Sequence, residues 1–349
     1  MRRPDPHRQR PGRSVTRRRF LGVTSAAALP LFLAPGRAGA QGTVARRPQD
    51  VRMVFHWQKY LALHGILRRL ASQRGEVEAG YAAAVDIYRR QLFNVPGRTI
   101  WFTMESHIAV AASPEALRGQ LTNVFPLAYR TYDLKPTGQQ IAEAILQSVS
   151  AFEQRDWPAL KTRRNQSIDP VLNEQFLPHL ERFMTFLLTS LNAKPIYLIQ
   201  LDFNMVDRYI STGNETGMVQ DRYFNIVETA RFSPLGVVET IVMLMARIID
   251  MADSNNRHGA LRQLRERQEV LRLPNPTLFP RAVLYWTAGE AVKRIADPSH
   301  EHVAETLRIY QRAMRPFMPA IEEFWNPYLD GKFSLDEALN GMVRRVAEP

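Results

Sequence analysis

An extended segment that runs directly into a long apolar helix is the feature that most constrains this fold. Residues 222–230 alternate apolar and polar side chains, which predicts a half-buried strand. Ser233 and Pro234 follow, with a hydroxyl N-cap and a proline at the first helical position. The helix predicted over 237–250 is apolar on nearly every side, so we expect it to be buried in a core.

Three charged side chains interrupt this helix, and they are Glu239, Arg247 and Asp250. A buried charge without a partner is very unfavourable, so each of the three is expected to be paired. For Glu239 and Asp250, membership of an ion network is a more common role than catalysis.

The first forty residues are predicted to be an export signal. Residues 16–21 read Thr-Arg-Arg-Arg-Phe-Leu and match the twin-arginine pattern, and residues 38–40, Ala-Gly-Ala, offer a cleavage site. The apolar run over 23–33 is shorter than the roughly 20 residues that span a bilayer. We therefore predict a twin-arginine signal peptide over 1–40 and a periplasmic or secreted mature protein. The absence of cysteine fits a fold that needs no disulfides and excludes cysteine nucleophiles.

The charge of the chain lies mostly in that signal. The chain has 46 Lys and Arg residues against 34 Asp and Glu, a net charge of +12. Residues 1–40 hold nine Arg and one Asp and so carry +8 of it, which leaves 37 basic and 33 acidic residues, a net of +4, over the other 309. The remaining basic residues are scattered, so we predict no nucleic-acid partner. No later segment is apolar enough to predict an integral membrane span.

The periodicities predict an α+β protein that is mainly helical with a small sheet. Helices are predicted over 54–72, 76–92, 137–155, 171–192, 234–251 and 279–295, and from residues 113, 299 and 334 onward. Strands are predicted over 99–103, 195–203 and 222–230, with a turn over 211–217. A predicted break at 156–158 separates a mainly helical N-terminal region, 41–155, from a C-terminal region, 156–349, with which it is expected to form one compact unit.

Several stretches of the C-terminal region together resemble one family. They are Asp156-Trp157, Arg164-Asn165, the strands over 195–203 and 222–230, the helix with Glu239 and Asp250, and residues 282–290 and 325–339. On these stretches the region resembles exported bacterial proteins with a zincin core of the gluzincin-like metallopeptidase type. The resemblance implies a zincin-like core in the C-terminal half. In active members an H-E-x-x-H helix supplies two zinc ligands and the general base, and a glutamate on a later helix supplies the third ligand.

The resemblance also implies that the zinc site has been lost. Glu290, in the context Thr-Ala-Gly-Glu, matches the third ligand. Met243 and Arg247 stand at the two histidine positions, Leu244 at the general-base position, and Arg281 where relatives have a histidine. A thioether, an alkyl chain and a guanidinium cannot form that site, so no metal cofactor and no catalytic residue are expected. The implied function is that of a pseudoenzyme which binds a peptide or protein partner.

Arg247 is expected to replace the lost ion. Glu239, Met243 and Arg247 are four residues apart and share one helix face. A guanidinium carries a permanent charge and matches a carboxylate in shape, so we predict that Arg247 pairs with Glu290 or Glu239.

Two other functions stay open at this stage. Glu290 with His300 or His302 could form the ligand set of a metal-dependent hydrolase, although a His-Glu-His triplet near a helix start is more often a solvated turn. The chain could also be a structural subunit of an envelope complex, with the N-terminal helices as its interface. His56 and His64 are expected to be packing or surface residues, and a peptide could join an edge strand over 222–230.

Overall fold

A computed structural model describes residues 44–46, 52–94, 98–124, 128–129, 132–194, 200–206, 215–219, 222–273 and 275–348. The predicted signal peptide lies outside these residues. The prediction of a mainly helical α+β protein with a small sheet is confirmed. No helix in the described ranges combines the length and the apolar character that crossing a bilayer requires.

The described elements follow one another as helices, short strands and several π-helical turns. The strands are β1 Val44–Arg46, β2 Arg52–His56, β3 Ala128–Tyr129, β4 Tyr132–Asp133, β5 Gln200–Val206, β6 Glu215–Val219 and β7 Arg222–Glu228. The helices are α1 Lys59–Ser72, α2 Ala79–Asn94, α3 Arg98–Ala109, α4 Pro114–Gly119, α5 Lys135–Arg163, α6 Asp169–Val171, α7 Leu180–Ser190, α8 Pro234–Ala252, α9 Ala260–Val270, α10 Leu278–Ile295, α11 Val303–Thr306, α12 Met318–Ala320, α13 Asn326–Leu329 and α14 Leu335–Ala347. The π-helical turns cover Gln120–Val124, Arg164–Ile168, Leu172–Phe176 and Ile321–Trp325.

The main sheet has five strands in the order β1-β2-β5-β7-β6. Strands β2, β5 and β7 are parallel, and β1 and β6 pair antiparallel at the two edges. The predicted strand over 222–230 is thus an interior strand, and its assignment as an edge was wrong. Residues 215–217, predicted as a turn, belong to the edge strand β6.

The sheet separates two cores because successive residues of a strand point to opposite faces. Leu201, Phe203 and Met205 of β5 join a C-terminal core with α7, α8 and α10. Val206 and Ile226 on the other face join an N-terminal core with α1, α2, α3 and α5.

Helix α8 forms where the sequence predicted it. Its N-cap Ser233 accepts a hydrogen bond from the Gly236 N–H, and Pro234 opens the first turn. The helix packs against α10 and β7, and its side chains are buried on almost every turn. The last helix, α14, begins at Ser334 with the capping box that Glu337 completes.

Local structure in the N-terminal half differs from the predictions at three places. Residues 99–103 lie in helix α3, because buried Ile100, Trp101 and Met104 follow helical spacing rather than alternation. Helix α5 begins at 135 without a capping box, since the Thr137 hydroxyl donates to Gln91. The same helix continues through the predicted break at 156–158.

One tertiary contact and one contact within the helix hold α5 together around its internal proline. The Tyr81 hydroxyl of α2 donates to Asp156 over 2.5 Å, and within α5 the ring centres of Phe152 and Trp157 lie 5.6 Å apart. These contacts offset the hydrogen bond that Pro158 removes. The helix predicted over 171–192 is also different, because π-helical and 3-10 turns interrupt it before α7 begins at Leu180.

Candidate functional site

A short loop after α10 brings two histidines to two buried glutamates. The loop covers residues 299–302 and is anchored by Asp297, whose carboxylate accepts hydrogen bonds from the Ser299 N–H and hydroxyl over 2.8 and 2.7 Å. His300 and His302 are 8% and 4% exposed, so the prediction of a solvated turn was wrong. The loop meets the first half of α8 on one side and the second half of α10 on the other.

The first pair joins His300 to Glu239 of α8. His300 Nε2 lies 2.7 Å from Glu239 Oε2, and the Val303 N–H donates to the same oxygen over 2.8 Å. Glu239 is 1% exposed, and these two contacts provide the partners that its buried charge requires. The carboxylate therefore attaches the loop and the start of α11 to α8.

The second pair joins His302 to Glu290 of α10. His302 Nε2 lies 3.3 Å from Glu290 Oε1, and Arg294 Nε donates to Oε2 over 2.8 Å. Arg294 also contacts Asp330 at 2.8 Å and donates to the Leu329 carbonyl, so it links α10 to α13. Burial raises the pKa of Glu290, but the hydrogen bonds from His302 and Arg294 outweigh burial and hold the pKa below its usual value.

Close packing fixes the His302 ring. A Cβ added to Gly289 would lie 2.5 Å from that ring, so glycine is what allows the loop to approach α10. The Trp286 ring meets the His302 ring edge-on at 5.0 Å, and the Tyr310 hydroxyl lies 3.5 Å from His302 Nδ1. Burial raises the pKa of Tyr310 well above its usual value, so the phenol stays protonated and can donate to Nδ1.

A cavity of about 450 Å³ opens beside the two pairs. It is lined by Trp286, Glu290, Lys293, Ser299, His300, Glu301, His302, Glu305 and Asn326, and we call it the histidine pocket. Both ring nitrogens of His302 have partners. Among the described residues His300 has a partner at Nε2 and none at Nδ1, and the residue lines the pocket.

Three positions that the peptidase resemblance singled out do not line the histidine pocket. Met243 and Leu244 are core residues, 5% and 0% exposed, and Arg247 is half-buried one turn further along α8. The pairing predicted for Arg247 was with Glu290 or Glu239. The contacts seen at these carboxylates are those of Glu290 with Arg294 and His302 and of Glu239 with His300 and the Val303 N–H. Arg294 lies four residues after Glu290 on the same helix, a spacing that brings the two side chains together.

The other two predicted positions lie in separate contacts. The Arg281 guanidinium lies 5.8 Å from the centre of the Tyr285 ring. Asp250 pairs with Arg265 of α9, as expected for a member of an ion pair. In the described part of the chain, no group of three or more His, Asp and Glu side chains is arranged to hold a metal ion.

His56 and His64 are buried and paired. His56 Nε2 lies 2.9 Å from the Asp202 carboxylate. His64 Nδ1 lies 2.7 Å from the Tyr88 hydroxyl, and its Nε2 lies 3.4 Å from Glu105. Burial lowers the pKa of His64. Neither contact could be predicted, because each partner lies far along the sequence.

Gly289→Ala is expected to lower the free energy of unfolding by about 1–3 kcal/mol, because the new methyl group overlaps the His302 ring. Chemical denaturation monitored by tryptophan fluorescence measures the change, and Trp286 beside the ring reports the altered packing. Gly119→Ala is the matched control. A Cβ there meets nothing within 4 Å, so the free energy should stay equal or rise slightly. Equal behaviour of the two variants would contradict the close approach of loop and helix.

Glu290→Gln tests the lowered pKa of Glu290. A carboxylate whose pKa is lower in the folded state stabilises the protein above its unfolded pKa, and this contribution disappears as pH falls through the folded pKa. The stability difference between wild type and Glu290→Gln should be constant from pH 7 down to about 5 and should shrink below about 4.5. Urea denaturation across this pH range measures it. A difference that grows on acidification would contradict the assignment.

Comparisons with family models, with curated proteins and with solved structures returned no match.

Proposed function

We propose that the protein is an exported, non-catalytic metallopeptidase-like protein that binds a peptide or protein partner at the histidine pocket. One observation carries the proposal: both buried carboxylates of the pocket region already have protein partners. Glu239 accepts from His300 and from the Val303 N–H, and Glu290 is held by His302 and Arg294. Carboxylates held in this way give a preformed pocket its shape, and a preformed site lowers the ordering cost of binding.

The contacts of α8 also bear on the peptidase resemblance. The turn of α8 that contacts the 299–302 loop carries Glu239. This residue precedes Met243, where the alignment with the H-E-x-x-H motif begins. If the H-E-x-x-H motif is aligned from Val238 instead, Glu239 stands at the general-base position and Val238 and Val242 stand at the two histidine positions. Val238 and Val242 are both fully buried, and an alkyl group cannot ligate zinc. Either alignment lacks both imidazoles, which supports a scaffold kept for binding.

A peptide has a second place to dock on such a scaffold. Strand β6 pairs with β7 on one side and is the last strand of the sheet in the described ranges. An open edge offers unpaired main-chain groups to an extended peptide. β6 thus takes the role that the sequence assigned to the strand over 222–230.

A peptide mixture tests the proposal. Purified mature protein, residues 41–349, is immobilised and exposed to peptides from digested casein, and bound and unbound peptides are identified by mass spectrometry. We expect a subset to be retained and no new cleavage product to appear. Ser299→Trp fills the pocket and should abolish retention. Ser72→Trp, at an exposed serine outside the pocket, should retain the same subset.

Two results would contradict the proposal. New cleavage products would show a hydrolase, and retention by Ser299→Trp equal to wild type would show that the pocket is not the binding site.

The second candidate is a metal-dependent hydrolase with a non-standard ligand set. The observation in its favour is that Glu290 and His302 are in contact and that His300 lies in the same pocket. Elemental analysis of protein purified without added metal separates the candidates. Stoichiometric zinc that is lost in His302→Ala would support the hydrolase, and a metal-free protein that retains peptides would support the binding protein.

A further inference from the structure

We propose that the histidine pocket binds a primary ammonium group, presented by a lysine side chain or by the amino terminus of a peptide. This inference rests on the proposed binding function and names the chemical group that the pocket recognises.

The free nitrogen of His300 sets the hydrogen-bonding character of the pocket. Glu239 accepts at Nε2, so Nε2 carries the proton of the neutral imidazole and Nδ1 presents a lone pair. His300 is 8% exposed and lines the pocket, and Nδ1 has no partner within the described ranges. A ligand that approaches Nδ1 must therefore donate a hydrogen bond.

The free charges at the mouth point to a cationic donor. Glu301 and Glu305 line the pocket, are exposed, and form no ion pair with any described residue. Lys293 is the basic residue of the lining. Arg294 balances the charge of Glu290. The mouth therefore carries the two carboxylates of Glu301 and Glu305 against one ammonium, and an anionic ligand would meet both this net negative charge and the lone pair of His300. A cation gains charge-assisted hydrogen bonds instead.

The remaining lining suits the stem that carries such a group. Trp286 gives one wall an aromatic surface, on which an alkyl chain or an ammonium packs favourably. The volume of about 450 Å³ falls within the range of small-ligand sites and accommodates one side chain or one chain terminus.

Four synthetic peptides separate the two sources of the ammonium group. All are C-terminally amidated Ala-Ala-Lys-Ala-Ala. The first has a free amino terminus and free lysine, the second is acetylated at the terminus, the third at the lysine, and the fourth at both. Affinity is measured by isothermal titration calorimetry at pH 7, where an ordinary α-amino group and an ordinary lysine are both mostly protonated. The affinity for the doubly acetylated peptide should be at least about 10-fold lower than that for the tightest-binding of the other three, because it has no ammonium group to donate charge-assisted hydrogen bonds. The second and third peptides show which ammonium is used.

Variants at the pocket mouth test the charge argument without disturbing the buried pairs. Glu301→Gln/Glu305→Gln should lower the affinity for the tightest-binding peptide about 10-fold. Glu269→Gln/Glu322→Gln removes two exposed carboxylates outside the pocket, so the net charge changes equally and affinity should not change. Lys293→Ala should leave affinity unchanged or increase it.

Three outcomes would contradict the proposal that the pocket binds an ammonium group. Equal binding of all four peptides that Ser299→Trp abolishes would reject ammonium recognition and leave the binding function standing. A loss of affinity in Lys293→Ala would indicate an anionic ligand group. If none of the four peptides binds while casein peptides are retained, the ammonium proposal fails alone; if neither binds, both proposals fail.

Discussion

Glu239→Ala is expected to lower the free energy of unfolding by about 2–5 kcal/mol, because two buried donors lose their acceptor at about 1–3 kcal/mol each. The substitution removes the acceptor of His300 Nε2 and of the Val303 N–H, both enclosed between α8 and the loop. Both donors would stay buried without a partner, and the methyl group would leave a cavity. Urea denaturation at pH 7 gives the free energy of unfolding, and loss of the loop contact should also abolish retention of peptides.

Two companion variants identify the cause of this loss. Glu239→Gln keeps a carbonyl oxygen that can accept from the Val303 N–H, so its cost should be smaller than that of Glu239→Ala. Glu322→Ala, at an exposed carboxylate, should stay within about 0.5 kcal/mol of wild type. A loss below about 1 kcal/mol for Glu239→Ala would show that the pair does not stabilise the loop.

Glu105→Ala should destabilise the N-terminal core by a similar amount, about 3–5 kcal/mol. Glu105 is fully buried, accepts from Arg68 Nη1 over 2.5 Å, and lies 3.4 Å from His64 Nε2. Arg68 is 7% exposed, so the loss of this carboxylate removes a counter-charge inside a core. The effect appears as a lower midpoint in urea denaturation.

Replacement of both charges distinguishes a broken pair from a lost contact. In Arg68→Met/Glu105→Leu, apolar side chains fill the same space, and the methionine can pack on the Trp101 ring, which lies 4.7 Å from the Arg68 guanidinium. The double variant should be more stable than Glu105→Ala, since it leaves no buried charge from this pair. A double variant that is less stable than the single one would assign the loss to packing.

Three predicted helix starts are confirmed, while the helix predicted from Ser299 begins at Val303 and Thr137 does not cap α5. Ser113, Ser233 and Ser334 each accept a backbone hydrogen bond at a helix N terminus, as their sequence context indicated. A cap is a contact between residues three apart, so a short window contains all the information.

Elements that depend on distant residues were predicted less well. The continuation of α5 through Pro158 depends on Tyr81, which lies on α2. The edge strand β6 exists because it pairs with β7, although its composition resembles a turn. Local propensity is a weak guide where packing decides the conformation.

The candidate site shows the same division. The context of Glu290 singled it out, and one alternative grouped it with His302, which it contacts. Glu239 was expected to need a partner, but His300 was not predicted as that partner. His300 reaches Glu239 across 61 residues of sequence. Two features of the sequence could have indicated this site, the His-Glu-His triplet and the glycine before Glu290. Gly289 leaves room for the His302 ring.

The parallel ladder between β2 and β5 has a consequence for how the chain can be divided. Arg52 pairs with Gln200, so the middle of the sheet joins two segments that lie 148 residues apart in the sequence. A contact of such long range is formed late and against a large loop-closure cost. A cut between α7 and β5 would leave β1 and β2 on one polypeptide and β5, β6 and β7 on the other, so neither would contain the ladder between β2 and β5. Each fragment would need the other as a template, so the two should recover the native state only when they are renatured together.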